Sequence, residues 1–312
     1  MLDVSVLLLT RDGAATLPRL LDALREQDYG AALEIVAVDS GSVDGTIEIL
    51  RARVDTLLTV NPADFNHGET RNVGLGATTK PLVVLIVQDA IPANAAWLRE
   101  LVRPLHDDGQ VAAAWSRQVP LPDASRITRM HLERWLGASA APRLSAVDDR
   151  SAFERMRPWD RFELCALDNV CSCIRRSVWE RHPFRRVPIG EDIEWARDVL
   201  LDGYRVAYAP DSMVQHSHER SARYELMRTL LIHHRLRTLF GLSTVPSVFS
   251  LARSIASSAR AHAACVREGA GADRRAGEWS RAMALSVAWP LGQYVGARLA
   301  DWSVRVDGIR GI

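Results

Sequence analysis

Two hydrophobic rhythms alternate along the first hundred residues. Residues 4–10 (VSVLLLT) form a short, unbroken apolar run, the pattern of a strand buried on both faces. Residues 16–27 change to helical spacing, with Leu17, Leu20, Leu21 and Leu24 on one face, Thr16 placed as N-cap and Pro18 in the first turn. The alternation continues with strands over 34–38, 56–60 and 82–87, the last being the strongest in the chain. Helices fall between them at 46–52, 70–78 and 97–105. Such alternation predicts an α/β fold with a mostly parallel, doubly wound sheet. Residues 120–161, rich in Pro and Arg, read as a loop-bearing insertion over that sheet. Order returns at 169–175, in a helix over 191–201 with Gly203 as its C′ residue, and in a strand over 205–208. From Arg223 the pattern is helical to near the end, with 268–278 linking two helices. This divides the chain into an α/β unit, 1–222, and a helical C-terminal extension, 223–312. No internal repeat is present.

Composition narrows the class. With 47% apolar and 25% charged residues the 312-residue chain is globular, and a net charge of +1 gives no field that would recruit nucleic acid. Lys80 is the only lysine, so arginine abundance is a compositional bias rather than a phosphate signal. Cys165, Cys171, Cys173 and Cys265 are too few for a disulfide framework, and Cys171-Ser-Cys173 lacks a second pair at zinc spacing; reduced thiols are expected. The first residues carry no signal-peptide pattern. The charge-free stretches 239–252 and 282–297 each contain a proline and fall short of the ~20 apolar residues a spanning helix needs. The expectation is a cytoplasmic protein. Its C-terminal helices, with Arg253, Arg260, Arg281, Arg298 and Arg305 opposite Trp289 or Trp302, would lie on the inner face of the plasma membrane, pack on the α/β unit or form a homodimer contact.

Five clusters carry candidate chemistry. Asp39, Ser40 and the residues to Thr46 join a strand end to a helix start. In an open α/β sheet that position suits an Asp39 that accepts an N–H from a nucleobase; the plainer reading is a self-capping turn. The loop is not GxGxxG, which weighs against a dinucleotide oxidoreductase. In Phe65-Asn66-His67-Gly68-Glu69-Thr70-Arg71-Asn72 a helix begins near Glu69. Arg71 in its first turn suits a diphosphate, or else pairs with an acid at the sheet edge. Gln88-Asp89-Ala90 ends the strongest strand, where a carboxylate is costly unless paired or bound to a cation. Glu191-Asp192 opens a helix, where the dipole favours acids whether they are merely solvated or serve as a general base. His216 and His218 share one face if the segment stays extended, as two metal ligands would.

In this order and spacing the clusters resemble family 2 glycosyltransferases of the GT-A fold, particularly the bacterial rhamnosyltransferase branch that builds surface polysaccharide. The resemblance spans roughly residues 3–220. It is carried by Leu8-Leu9-Thr10 with the Leu-rich helix and Gln27, Asp39 with Ser42 to Thr46, Phe65 to Gly68 with Arg71-Asn72, and Gln88-Asp89-Ala90. Arg117-Gln118, Arg175-Arg176, Gly190-Glu191-Asp192 and His216-Ser217-His218 complete the set.

That resemblance implies a Rossmann-like sheet flanked by helices and a role for each cluster. Asp39 and Ser40 would hold the nucleobase, with Thr10 and Arg11 at the pocket mouth and Arg71 and Gln88 near the base or diphosphate. Asp89 with His216 or His218 would bind Mg²⁺ or Mn²⁺, although the family's Asp-X-Asp is reduced here to a single carboxylate. Asp192, with Glu191 beside it, would deprotonate an acceptor hydroxyl in one inverting displacement. The implied donor is a nucleotide-diphosphate sugar, deoxythymidine-diphosphate rhamnose ahead of UDP- and GDP-sugars, and the acceptor a saccharide or lipid-linked hydroxyl. Two alternatives stand beside it: a degenerate nucleotide-sugar-binding or assembly protein, and a sugar nucleotidyltransferase. For the latter, Thr10-Arg11-Asp12-Gly13 is a sparse signature.

Overall fold

The computed structural model describes residues 2–268 and 275–302. Its strands are β1 (Val4–Thr10), β2 (Leu33–Asp39), β3 (Thr56–Thr59), β4 (Leu82–Val87), β5 (Ile91–Pro92), β6 (Val111–Val119), β7 (Arg143–Ala146), β8 (Cys171–Arg175) and β9 (Arg205–Gln215). They form one sheet ordered β3-β2-β1-β4-β8-β6-β9-β5, with β7 also on β9. Six strands run the same way; β8 is wedged antiparallel between β4 and β6, and β5 and β7 run antiparallel on β9. The mostly parallel α/β expectation holds, with the helices α1 (Leu17–Arg25), α2 (Thr46–Arg53), α3 (His67–Ala77) and α4 (Trp97–Asp107) between early strands. Later come α5 (Arg126–Leu132), α6 (Arg150–Arg155), α7 (Pro158–Leu164), α8 (Arg176–Trp179), α9 (Glu191–Leu201), α10 (Ala222–Phe240), α11 (Val248–Arg267) and α12 (Arg275–Asp301).

The unbroken apolar run of β1 has a direct cause. Val4, Val6 and Leu8 point to one core with Leu17, Leu20, Leu21 and Leu24 of α1, while Leu7 points to the other with Val36, Val38 and Trp195. Burying both faces calls for apolar residues at nearly every position, and one buried exception, Ser5, is satisfied by donating to Glu34.

Four differences from the sequence reading follow from local chemistry. β6 goes unread because its centre is Ala112, Ala113 and Ala114, small residues without strand character, although all are buried. Residues 120–161 are not a loop insertion. They hold α5, β7, α6 and most of α7, with Phe153 sent into the core. β9 runs on to Gln215 rather than stopping at Tyr208, because the turn-like Pro210-Asp211 is absorbed where the register shifts: Ser116 pairs with Ala209 and Arg117 with Met213. Lastly, α3 begins at His67, ahead of its periodic signal, since Asn66 caps it by accepting from the Gly68 and Glu69 amides. Thr16 does sit at the N-cap of α1 but caps no amide there; its hydroxyl donates to the Gly13 carbonyl at 3.3 Å.

The C-terminal helices pack inward. Leu236 and Phe240 of α10 join the core beside Phe162 and Trp195, and α12 lies along α10 where Gly292 and Gly296 face its backbone. Ile127, Val266, Ala282 and Leu285 close a smaller cluster between α5, α11 and α12. Trp289 does not face outward: its N–H donates to Glu225 at 3.1 Å and its ring stacks 3.8 Å from His131. Phe249 and Trp302 remain exposed, while Arg305 and most of the expected 268–278 link lie outside the described residues. No described helix is long and apolar enough to cross a membrane. All four thiols are free.

Candidate active site

The carboxyl ends of β1 and β2 are laced into one surface. Asp39, fully buried, accepts from Thr10 Oγ1 (3.0 Å), from the Gly41 and Ser42 amides (2.9 Å each) and from the Ser42 hydroxyl. Its acceptor positions are thus filled from within, so an N–H from a ligand would have to displace one of these donors to reach it. Ser40 is tied back to the Thr10 carbonyl through its amide (2.9 Å) and hydroxyl (3.1 Å). Asp12 adopts a left-handed φ of 47°, held by its amide on Ser42 Oγ (2.8 Å) and its carboxylate under the Val43 amide (2.9 Å).

Gln88 spends both ends of its amide on Arg11, accepting from the Arg11 N–H (2.9 Å) and donating to its carbonyl (2.8 Å). A Cβ at Gly13 would lie 2.5 Å from Gln88 Oε1, which explains the glycine. The side chain expected to touch the donor shapes its loop instead, and the Arg11 side chain stays exposed.

Asp89 is the next residue. The extension of β9 delivers His216, whose amide continues the ladder to Val119 (2.9 Å), and His218 beyond it. His216 Nε2 lies 3.6 Å from Asp89 Oδ1, and His218 Nε2 3.4 Å from Asp89 Oδ2; ligand atoms of all three groups fall within 4.8 Å of one another. Burial pushes the His216 imidazole down to about 4 and lowers that of His218 as well, so both rings are neutral near pH 7 with a lone pair to offer. One carboxylate and two neutral imidazoles are a donor set that fits a divalent cation, with positions left for phosphate oxygens and water.

The third element is α9, with Glu191, Asp192 and Glu194 in its first turn. Two of these are neutralised: Glu191 by Arg71 in a buried pair, Glu194 by Arg235 of α10. Burial is the largest single influence on the Glu191 carboxyl and raises it, but the Arg71 guanidinium, His67 and the hydrogen bonds to the carboxylate together outweigh it and hold the group low. Arg71, read either as a diphosphate ligand or as paired with an acid, and Glu191, read beside Asp192, are therefore each other's partners. Charge has decided this, because an unpaired ion at either position would be uncompensated in the core. Arg71→Ala should then cost about 3–5 kcal/mol of stability in a urea melt by stranding Glu191; a melt indistinguishable from wild type would instead favour a ligand-binding role.

Asp192 alone of the three makes no ion pair among the described residues, although the Arg71 charge reaches it. Its carboxyl accepts from the Ile193 amide (2.8 Å) and the Asn169 amide (3.2 Å). Burial first, then the Glu191 and Asp168 charges, raise it to about 7. A half-buried carboxylate poised near neutrality is suited to general-base work.

What places α9 is α3, through the residues of the Phe-Asn-His-Gly motif. Asn66 Nδ2 donates to the Val187 carbonyl (2.8 Å), and Asn72 brackets Phe184, donating to its carbonyl (2.8 Å) and accepting from its amide (3.0 Å). A Cβ at Gly68 would lie 2.2 Å from the Arg185 carbonyl oxygen. The motif is a seat for the strap that enters α9.

Sequence reasoning missed Asp168 and Asn169, which precede β8 and read as an ordinary turn. It gave Gln118 no role, though the Arg117-Gln118 pair had been singled out. A cavity of about 340 Å³ between Leu24, Gln27, Tyr29, Arg53 and Asp55 lies apart from all these groups. Its polar side chains are internally bonded, Gln27 to Ala23 and Asn94 and Asp55 to the Ile35 amide.

Comparison with known proteins identifies the family and the fold. Residues 5–182 match the model of glycosyl transferase family 2. The chain is 27% identical over 230 residues to the O-antigen chain rhamnosyltransferase RfbN of Salmonella typhimurium, covering 72% of this chain and 69% of that one. It is 30% identical over 199 residues to WbaN of Salmonella anatum, covering 62% and 60%. Among solved structures, a mannosyltransferase from Pyrobaculum calidifontis with GDP-mannose and Mn²⁺ superposes with a TM-score of 0.59 at 19% identity, over 96% of this chain and 87% of that one. Glucosyl-3-phosphoglycerate synthase of Mycobacterium tuberculosis, with Mn²⁺ and UDP, gives 0.55 at 21% over 79% and 82%. These likenesses show a shared GT-A fold. With more than half its length matched, the chain belongs to glycosyl transferase family 2.

Proposed function

We propose that this protein is a metal-dependent, inverting glycosyltransferase that moves rhamnose from deoxythymidine-diphosphate rhamnose to a saccharide hydroxyl, free or lipid-linked, in surface polysaccharide synthesis. The observation that carries the reading is the convergence of Asp89, His216 and His218, groups far apart in sequence, at the carboxyl ends of β4 and β9. The sugar and pathway rest on similarity to the two Salmonella rhamnosyltransferases. Of Mg²⁺ and Mn²⁺, two imidazole nitrogens favour Mn²⁺, which accepts nitrogen donors more readily.

The laced β1–β2 loops hold the base, with Asp39 released to it by Ser42. Asp89, His216 and His218 would hold the cation, which would supply positive charge to offset that of the departing diphosphate. Arg71 being committed to Glu191, the arginine share of that work passes to Arg220 and Arg228. Both are exposed and close enough for their charges to bear on His216 and His218. Asp192 takes the acceptor proton as the hydroxyl oxygen attacks the anomeric carbon and the bond to diphosphate breaks, so configuration inverts in one step.

Incubating the protein with deoxythymidine-, uridine- and guanosine-diphosphate sugars, with and without Mn²⁺, tests this. The expected result is slow, Mn²⁺-dependent release of nucleoside diphosphate, fastest from the rhamnose donor, and an inverted anomeric proton in any transfer product. If no nucleotide sugar is consumed or raises the Tm, the reading fails.

A further inference from the structure

Gln118 sits at the end of β6, almost wholly buried, and lies between two groups of the site without touching the place where substrate would be. Its Nε2 donates to Asp168 Oδ2 at 2.5 Å, and its Oε1 lies 3.0 Å from His216 Nδ1. A carboxylate only accepts, so the amide nitrogen belongs on the Asp168 side and the amide oxygen on the histidine side. An oxygen facing Nδ1 requires that nitrogen to carry the hydrogen. The hydrogen-free Nε2 is then turned toward Asp89 and His218.

Asp168 is fixed in turn by the Val170 amide (2.9 Å), and the next residue, Asn169, donates its backbone N–H to Asp192 (3.2 Å). One turn before β8 therefore holds His216 through a side-chain relay and Asp192 directly.

We propose that Gln118 and Asp168 form a positioning relay that locks His216 in its Nδ1–H tautomer and aims Nε2 at the cation site. The inference rests on the metal-site reading above for its consequence, but its geometry stands apart from it. Free imidazole prefers no such fixed arrangement; a hydrogen bond to the other ring nitrogen is what sets a ligand's tautomer and orientation. The bulge in β9 gives the relay its purpose. It sets the backbone of His216 beside Val119 but leaves the ring free to turn about its side-chain bonds.

The test uses the full chain with ¹⁵N-labelled histidine rings, the His216 signals assigned by their loss in His216→Gln. In the wild type, long-range ¹H–¹⁵N spectra without metal should show His216 protonated at Nδ1. Gln118→Leu, close in volume, should lose that tautomer and weaken Mn²⁺ binding, measured by Mn²⁺ electron paramagnetic resonance titration, by roughly 10- to 100-fold. Gln118→Glu keeps an oxygen facing Nδ1 and, with one proton shared between its carboxyl and that of Asp168, which burial already pushes up, should keep both properties. A wild-type His216 protonated at Nε2, or a Gln118→Leu protein with unchanged tautomer and Mn²⁺ affinity, overturns the relay. A wild type with the Nδ1–H tautomer that binds no Mn²⁺ leaves the relay standing and overturns the metal reading instead. Equal melting temperatures for the three proteins would show that the changes are not loss of fold.

Discussion

Asp192→Asn should bind a nucleotide sugar normally and transfer it roughly 10²- to 10⁴-fold more slowly, the usual loss when a general base is removed. Glu191 cannot replace it, because its carboxylate is turned into the buried pair with Arg71. The wild-type pH profile carries the same information. A base must be ionised, and burial with two neighbouring acids places this one at about 7. Hence kcat/KM should climb about tenfold per pH unit below 7 and level off above it. Stability should run the other way. A carboxyl raised above its ordinary value of 3.8 binds its proton more tightly when folded, so it stabilises below that value and the contribution is lost as pH rises toward 7. The asparagine variant, free of that penalty, should melt higher than wild type at pH 8. Transfer at near wild-type rates would remove Asp192 from the mechanism.

Asp89→Asn should abolish the response to Mn²⁺ and lower kcat by roughly 10²- to 10³-fold, since several kcal/mol of leaving-group charge would go uncompensated. It removes the only carboxylate of the triad while leaving its shape, so fold and base recognition should survive. Chelation of the wild type should reproduce the loss, and added Mn²⁺ should restore it in the wild type alone. The two variants part in one respect: the asparagine at 192 keeps Mn²⁺ affinity, the asparagine at 89 does not. Full activity of Asp89→Asn in chelator would show that the three groups are a structural cluster.

The legible part of the fold is the part in which pattern and burial coincide. β1, β2, β4 and α1 are visible because the strands are apolar at most positions on both faces, and the helix on one face. β6 is not, since alanines fill it. Nor is the end of β9, where a proline reads as a stop and the sheet turns it into an irregularity. The antiparallel placement of β8 leaves no local trace, because nothing in Cys171–Arg175 distinguishes its neighbours. Asp89, His216 and His218 could be picked out as polar groups following apolar runs. The bond between Arg71 and Glu191, 120 residues apart, could not be, since each reads equally well as a ligand group when its partner is unseen. Asp168 was missed for a related reason: its significance lies in groups distant in sequence, Gln118 at the end of β6 and Asp192 in α9.

Gly68 shows what such architecture does to variation. Nothing larger than hydrogen fits between α3 and the strap that enters α9, although the position contacts no group that would react. A methyl there must shift the Arg185 carbonyl and, with it, the strap leading into the helix that carries Asp192. Intolerance to exchange at this glycine is accordingly a signature of fitted backbones and gives no information about which sugar is bound.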